Sequence, residues 1–169
     1  LTKRFGKKTI ISELSYRFSD KGLYVLRGKS GIGKTTLLRI IAGLDKDYSG
    51  EIIDGGIGRI SFAFQEYRLF PQLSALENVM IASKDDSDAN KSMAMDLLSQ
   101  LGFSFEEMSL LPSELSGGMK QRVSLARTFM KNAPVILLDE PTKELDAVLC
   151  RQVCEMIKKI AEDKLVILV

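Results

Sequence analysis

The stretch "GKSGIGKTT" at residues 28–36 constrains this chain more than any other. It satisfies G-x-x-x-x-G-K-[ST] in full, after a strand-like apolar run and before a helical one, which is the setting that gives the pattern meaning. Glycines let the backbone curl so that successive N–H groups point inward, and the next helix adds its positive dipole end. A phosphate cradle is therefore expected from Gly28, Lys29, Ser30, Gly31, Ile32, Gly33, Lys34, Thr35 and Thr36. Lys34 suits the β- and γ-phosphates, and the Thr35 hydroxyl suits Mg²⁺. With glycine at ~7% of residues, chance produces this pattern in on the order of one chain in a hundred or fewer.

A second pattern fits the first. "VILLDE" at residues 135–140 is a continuous apolar run ending in Asp139 and Glu140, as expected for a strand buried on both faces of a parallel sheet. Ligands of open α/β sheets sit at such C-terminal strand ends. There one carboxylate can hold the hydration shell of Mg²⁺ while the other polarises an attacking water. The acids are a weak signal by themselves and a strong one after a phosphate loop.

Strand and helix patterns alternate along the rest of the chain. Residues 9–18 and 22–28 read as strands, residues 34–44 as a helix stopping at Gly43, and residues 58–64 as a strand. Residues 73–83, 84–90 and 91–103 read as helix, loop and helix, with Met93 and Met95 facing a core. Further helices are expected over residues 116–132 and 147–163, and a buried strand over residues 164–169. The alternation argues an α/β fold with a mainly parallel sheet, an antiparallel element in front and a helical insertion.

Composition narrows the function classes. A length of 169 residues suits one domain, and the net charge of +2 predicts no strong attraction to nucleic acid or anionic lipid. The longest apolar runs fall far short of the ~20 residues needed to cross a bilayer. With no histidine in the sequence, Ser-His and Cys-His triads are excluded within it. Cys150 and Cys154 lie four apart on an expected helix without a third ligand to complete a zinc site, so they read as reduced thiols.

A third motif carries a resemblance. "LSGGMKQRVSLAR" at residues 115–127 closely resembles the signature of ATP-binding cassette (ABC) ATPases, whose motif order this chain shares over nearly its whole length. Physically, Ser116 can cap a helix while Gly117 and Gly118 expose N–H groups, making a second anion site.

The resemblance implies a P-loop NTPase core with an N-terminal antiparallel β element and an inserted helical subdomain. Residues 1–70 and 112–169 would form the core and residues 71–111 the subdomain of a single nucleotide-binding domain. It implies ATP and Mg²⁺ as cofactors, and a second cassette, identical or homologous, closing head to tail so that Ser116 and Gly118 touch the γ-phosphate on the partner cassette's phosphate loop. Gln65 matches the glutamine that contacts Mg²⁺ and the attacking water, Glu140 the catalytic glutamate, and Asp139 the acid beside Mg²⁺. Phe5 matches the aromatic that stacks on adenine. "KELD" at residues 143–146 matches the loop that crosses the dimer interface, with Asp146 in its acidic position. Lys143 and Glu144 stand where relatives more often carry small residues.

Residues 65–79 most resemble cassettes of bacterial importers. There Leu69, Phe70 and Leu73 would either anchor a helix of a membrane subunit or pack the insertion's own core. The short segment at residues 52–60, in place of a longer strand pair, is similar to compact importer cassettes for small anions or sulfonates. The implied role is the ATP-hydrolysing subunit of an ABC membrane transporter, a bacterial importer of a small solute. It would sit at the cytoplasmic face of the membrane beside transmembrane permease subunits, with no nucleic acid partner. The alternatives are a soluble cassette ATPase acting on ribosomes or DNA, and an ATP-dependent dimerisation switch that does not hydrolyse. In this family a strand like that of residues 164–169 leads into a histidine on the γ-phosphate. A histidine is therefore expected just beyond Val169, and these residues alone are expected to bind ATP better than they hydrolyse it.

Overall fold

In the computed structural model, which describes residues 1–53 and 58–169, the chain opens on an antiparallel hairpin of β1 (Lys3–Phe5) and β2 (Lys8–Ile11). The strand expected over residues 9–18 stops at Ile11. Glu13 turns the chain with a φ of 47°, and the backbones of Leu1 and Leu14 bond each other in both directions. Tyr16 and Phe18 then pack edge to face, and Phe18 meets Tyr24 at 5.0 Å between ring centroids. Aromatic residues that look strand-forming thus serve a local cluster instead.

The remaining strands, β3 (Gly22–Val25), β4 (Ile60–Ala63), β5 (Val135–Leu138) and β6 (Leu165–Leu168), form one parallel sheet in the order β3–β6–β5–β4. Alternation along β5 and β6 feeds two cores. Val135, Leu137, Leu165 and Ile167 face Leu38 of α1 (Lys34–Ile41). Ile136, Leu138 and Val166 face the opposite layer of α4 (Gly117–Met130) and α5 (Ala147–Ile160). Each fully buried Leu or Ile contributes about 1.5–3 kcal/mol, and β5 is buried at every position.

Between β4 and α4 lies the helical insertion, α2 (Ala75–Met80), α3 (Asp88–Gln100) and a 3₁₀ turn at Glu107–Ser109. A capping box starts α2: Ser74 Oγ accepts from the Glu77 N–H at 3.2 Å, and the Glu77 carboxylate accepts from the Ser74 N–H at 2.7 Å. The second helix begins inside the stretch expected as loop, because Ser87 caps it by accepting from the Asn90 N–H. Met93 is 48% exposed, contrary to expectation, whereas Met95 packs against the core. The buried face runs instead through Ala94 and Leu98, four residues apart.

The insertion has no core separate from the rest. Ala75, Val79, Ala94 and Leu98 share one cluster with Val123 and Ala126 of α4 and Val153 and Ile157 of α5. Residues 54–57 of the short segment likened to compact importers lie outside the described residues. Among the described residues, no helix is long and apolar enough to cross a membrane.

Candidate nucleotide site

The parallel sheet gathers the motifs at one edge. The phosphate loop follows β3, Gln65 follows β4, and Asp139 and Glu140 follow β5. The end of β6 lies between them, since Val169 donates to the Leu138 carbonyl at 3.0 Å and accepts from the Glu140 N–H at 3.1 Å. This is the crevice at the carboxyl ends of the strands where open α/β sheets bind ligands.

Gly33 occupies the N-cap of α1 with φ 109°, and a side chain there would overlap that of Ile10 on β2. Glycine is thus required twice, by conformation and by the hairpin pressed against it. No side chain caps α1 and no acidic residue stands in its first turn, so its N–H groups and dipole are left for an anion. The Lys34 ammonium curls into the loop, donating to the carbonyls of Gly28 at 2.9 Å and Lys29 at 3.1 Å. These features fit a polyphosphate.

Two further hydrogen bonds join motifs far apart in sequence. Thr35 Oγ1 donates to Asp139 Oδ1 at 3.1 Å, and Gln65 Nε2 donates to Glu140 Oε2 at 3.1 Å. Asp139 is 2% exposed, and burial pushes its carboxyl above the usual carboxylate range against the opposing bond from Thr35. A hydroxyl and a desolvated carboxylate side by side are hard oxygen donors, the set Mg²⁺ takes together with phosphate oxygens and water. Glu140 sits at φ 51°, and the Gln121 side chain holds its carbonyl at 3.0 Å. The Lys143 ammonium pairs with Glu140 Oε2 at 2.8 Å.

Ser116 caps α4 as expected, accepting from the Met119 N–H at 3.2 Å. Gly117 and Gly118 admit the loop at residues 143–145. A Cβ at Gly117 would overlap the Glu144 carboxylate, and one at Gly118 would come within 2.9 Å of the Glu144 carbonyl oxygen. Asp146 is the N-cap of α5, accepting from the N–H groups of Val148 at 2.8 Å and Leu149 at 3.0 Å. Phe5, at the end of the hairpin, is 55% exposed, with the buried Lys3 ammonium 4.8 Å from its ring and held by Asp45 at 2.8 Å.

Sequence reasoning passed over Gln121, Lys143 as a partner of Glu140, and Arg127. The Arg127 guanidinium donates to the carbonyls of Tyr67 and Arg68, both at 2.8 Å, tying the Gln65 loop to α4. Only the position of Gln121 and Arg127 within the signature could have flagged them. Leu69 is partly buried against the core, whereas Phe70 is 47% exposed.

A phosphate loop, a buried acid with a second acid beside it and a glycine-capped helix around one parallel sheet define a nucleotide-binding cassette. A family model described as "ABC transporter" matches residues 11–143, and the chain belongs to that family. It is 41% identical over 157 residues to the aliphatic sulfonates import ATP-binding protein SsuB 1 of Xanthomonas axonopodis pv. citri (strain 306), a match that takes in 86% of this chain and 61% of that protein. The chain thus spans about three-fifths of that relative's length. It is 35% identical to the arginine transport ATP-binding protein ArtM of Bacillus subtilis (strain 168), over 96% of this chain and 74% of that one. The solved dimeric structure of an ATP-binding cassette in a post-hydrolysis state, bound to ADP and Pi, matches with a TM-score of 0.83 and 28% identity, covering 99% of this chain and 83% of that one.

Proposed function

We propose that this chain is the ATP-binding and hydrolysing part of a bacterial ABC importer of a small solute, held at the cytoplasmic face of the membrane by permease subunits. The observation that carries the reading is the pair of long-range hydrogen bonds, Thr35 to Asp139 and Gln65 to Glu140. They join the phosphate loop to the acidic strand end and that strand end to the Gln65 loop, which supports one reaction centre among the three. On nucleotide binding, Lys34 exchanges the carbonyls of Gly28 and Lys29 for the β- and γ-phosphates. The loop from Gly28 to Thr36 cradles the phosphates, and Phe5 offers its exposed ring to adenine. Thr35, Asp139 and Gln65 would hold Mg²⁺, which supplies charge stabilisation for the transferring phosphoryl group.

Glu140 takes a proton from the water that attacks the γ-phosphorus, the bond from the γ-phosphorus to the bridging oxygen breaks, and ADP leaves with phosphate. Ser116, Gly117 and Gly118, with the Asp146 loop, would close on the nucleotide of a second cassette arranged head to tail. The dimeric state of the solved relative supports a pair of cassettes. A groove of about 460 Å³, lined by Leu44, Phe62, Phe64, Phe70, Ile81 and Arg127, supports a seat for a permease helix. The name of the aliphatic sulfonates relative supports import, and that of the arginine relative supports transport.

The test is Glu140→Gln in the full-length protein. Turnover should fall by at least about 10²-fold, as for loss of a general base, while ATP binding persists and an ATP-bound dimer accumulates in sedimentation. Hydrolysis at the wild-type rate would overturn the assignment.

A further inference from the structure

The loop that departs from the family pattern is also the one pressed into the site. Lys143 takes the Glu140 carboxylate at 2.8 Å, on the oxygen that also receives Gln65. Its neighbour Glu144 lays its carboxylate against Gly117, at the positive end of α4. We infer that Lys143 and Glu144 form an intrachain latch: Lys143 occupies the catalytic carboxylate and Glu144 the face of the signature helix, so both must let go before a second cassette can close. This rests on the function proposed above and adds to it a reason for the two charged residues.

The geometry supports a latch rather than an idle surface contact on three counts. The loop fits only because positions 117 and 118 lack side chains, so it is packed and not draped. The Tyr67 phenol stands beside Glu144, and its pKa is pushed up to about 12 by burial first and then by the Glu144 carboxylate. The Lys143 ammonium is likewise held above its ordinary value, first by its bond to Glu140. Through Tyr67 and Arg127, the latch also reaches the loop that carries Gln65. An anionic phosphate arriving at α4 meets Glu144 in its way, so like-charge repulsion and the competing ion pair both oppose closure.

A latch acts on the open state and is absent from the closed one. Its removal therefore lowers the ATP concentration needed for dimerisation and for half-maximal turnover. The experiment compares full-length wild type with Lys143→Ser, Glu144→Gln and the conservative Lys143→Arg. It uses steady-state hydrolysis and ATP-dependent dimerisation by sedimentation. The first two variants should lower KM and the dimerisation midpoint about threefold to fivefold, the size associated with a partly exposed ion pair. Lys143→Arg should restore wild-type values. A fall in kcat without a change in KM, or unchanged midpoints in both variants, would overturn the latch. A wild type that binds ATP without turnover would overturn the hydrolytic function instead, and the dimerisation midpoints would still decide the latch.

Discussion

Asp139 is a carboxylate taken out of water at the end of a buried strand, and among the described residues the Thr35 hydroxyl is the one side chain bonded to it. Its raised pKa means that the folded chain binds this proton more tightly than the unfolded chain. Stability is therefore lost as pH rises from the ordinary carboxylate range through the folded pKa, and above it the full cost stands. Asp139→Asn keeps an acceptor for Thr35 and removes the charge. It should raise Tm of the nucleotide-free protein at neutral pH by about 2–4 °C, the shift that about 1 kcal/mol gives a domain of this size. It should also abolish Mg²⁺-dependent turnover. Calorimetry from about pH 4 to about pH 8 checks both sign and window, and a lowered Tm would contradict the argument. This acid was legible in the sequence as the residue after an apolar run; its bond to Thr35, 104 positions away, was not.

The elements that carry the site are short, and packing rather than length holds them. Strand β5 has only four residues, all buried, and α2 has six. An isolated helix of that length is marginal in water. Leu98 of α3 is fully buried in the cluster that also holds Val123 of α4 and Val153 of α5. Leu98→Ala should cost about 2–5 kcal/mol, and urea unfolding should remain a single transition, because insertion and core share that cluster. Two separated transitions would show that the insertion folds by itself. The start of α4 was legible because Ser116 announced its cap, whereas the cap of α2 at Ser74 went unread. The start of α3 was missed because "KDDSDAN" is polar but for Ala89, and the buried face of the helix begins only at Ala94.

The whole molecule presents an apolar groove flanked by the Gln65 loop, α1 and α4. Phe70 belongs to that groove at 47% exposure, while Leu69 beside it turns to the core. The sequence left open whether these two residues packed inward or outward, and the fold divides them. If the groove seats a permease helix, Phe70→Asp should weaken association with the membrane subunits about tenfold or more, as for loss of an aromatic anchor. A titration of detergent-solubilised permease would read it, and unaltered association would remove the groove from the docking surface. The same scale brings Arg127, on α4, to the backbone of residues 67–68, so that nucleotide loop and groove share one tether.

The sequence by itself determined the class of fold from its alternating strand and helix patterns, and the cap at Ser116, and it marked the phosphate-loop pattern and the acid pair, because residue type and spacing within each motif are local. Only the tertiary structure decided which of those groups touch. It paired Thr35 with Asp139, set Gln65 and Lys143 on one oxygen of Glu140, and pressed Glu144 against Gly117. Those contacts join segments that are up to about a hundred residues apart in the chain. The bonds of Thr35 to Asp139 and of Gln65 to Glu140 arise from the order β3–β6–β5–β4 in one parallel sheet, which no local pattern encodes.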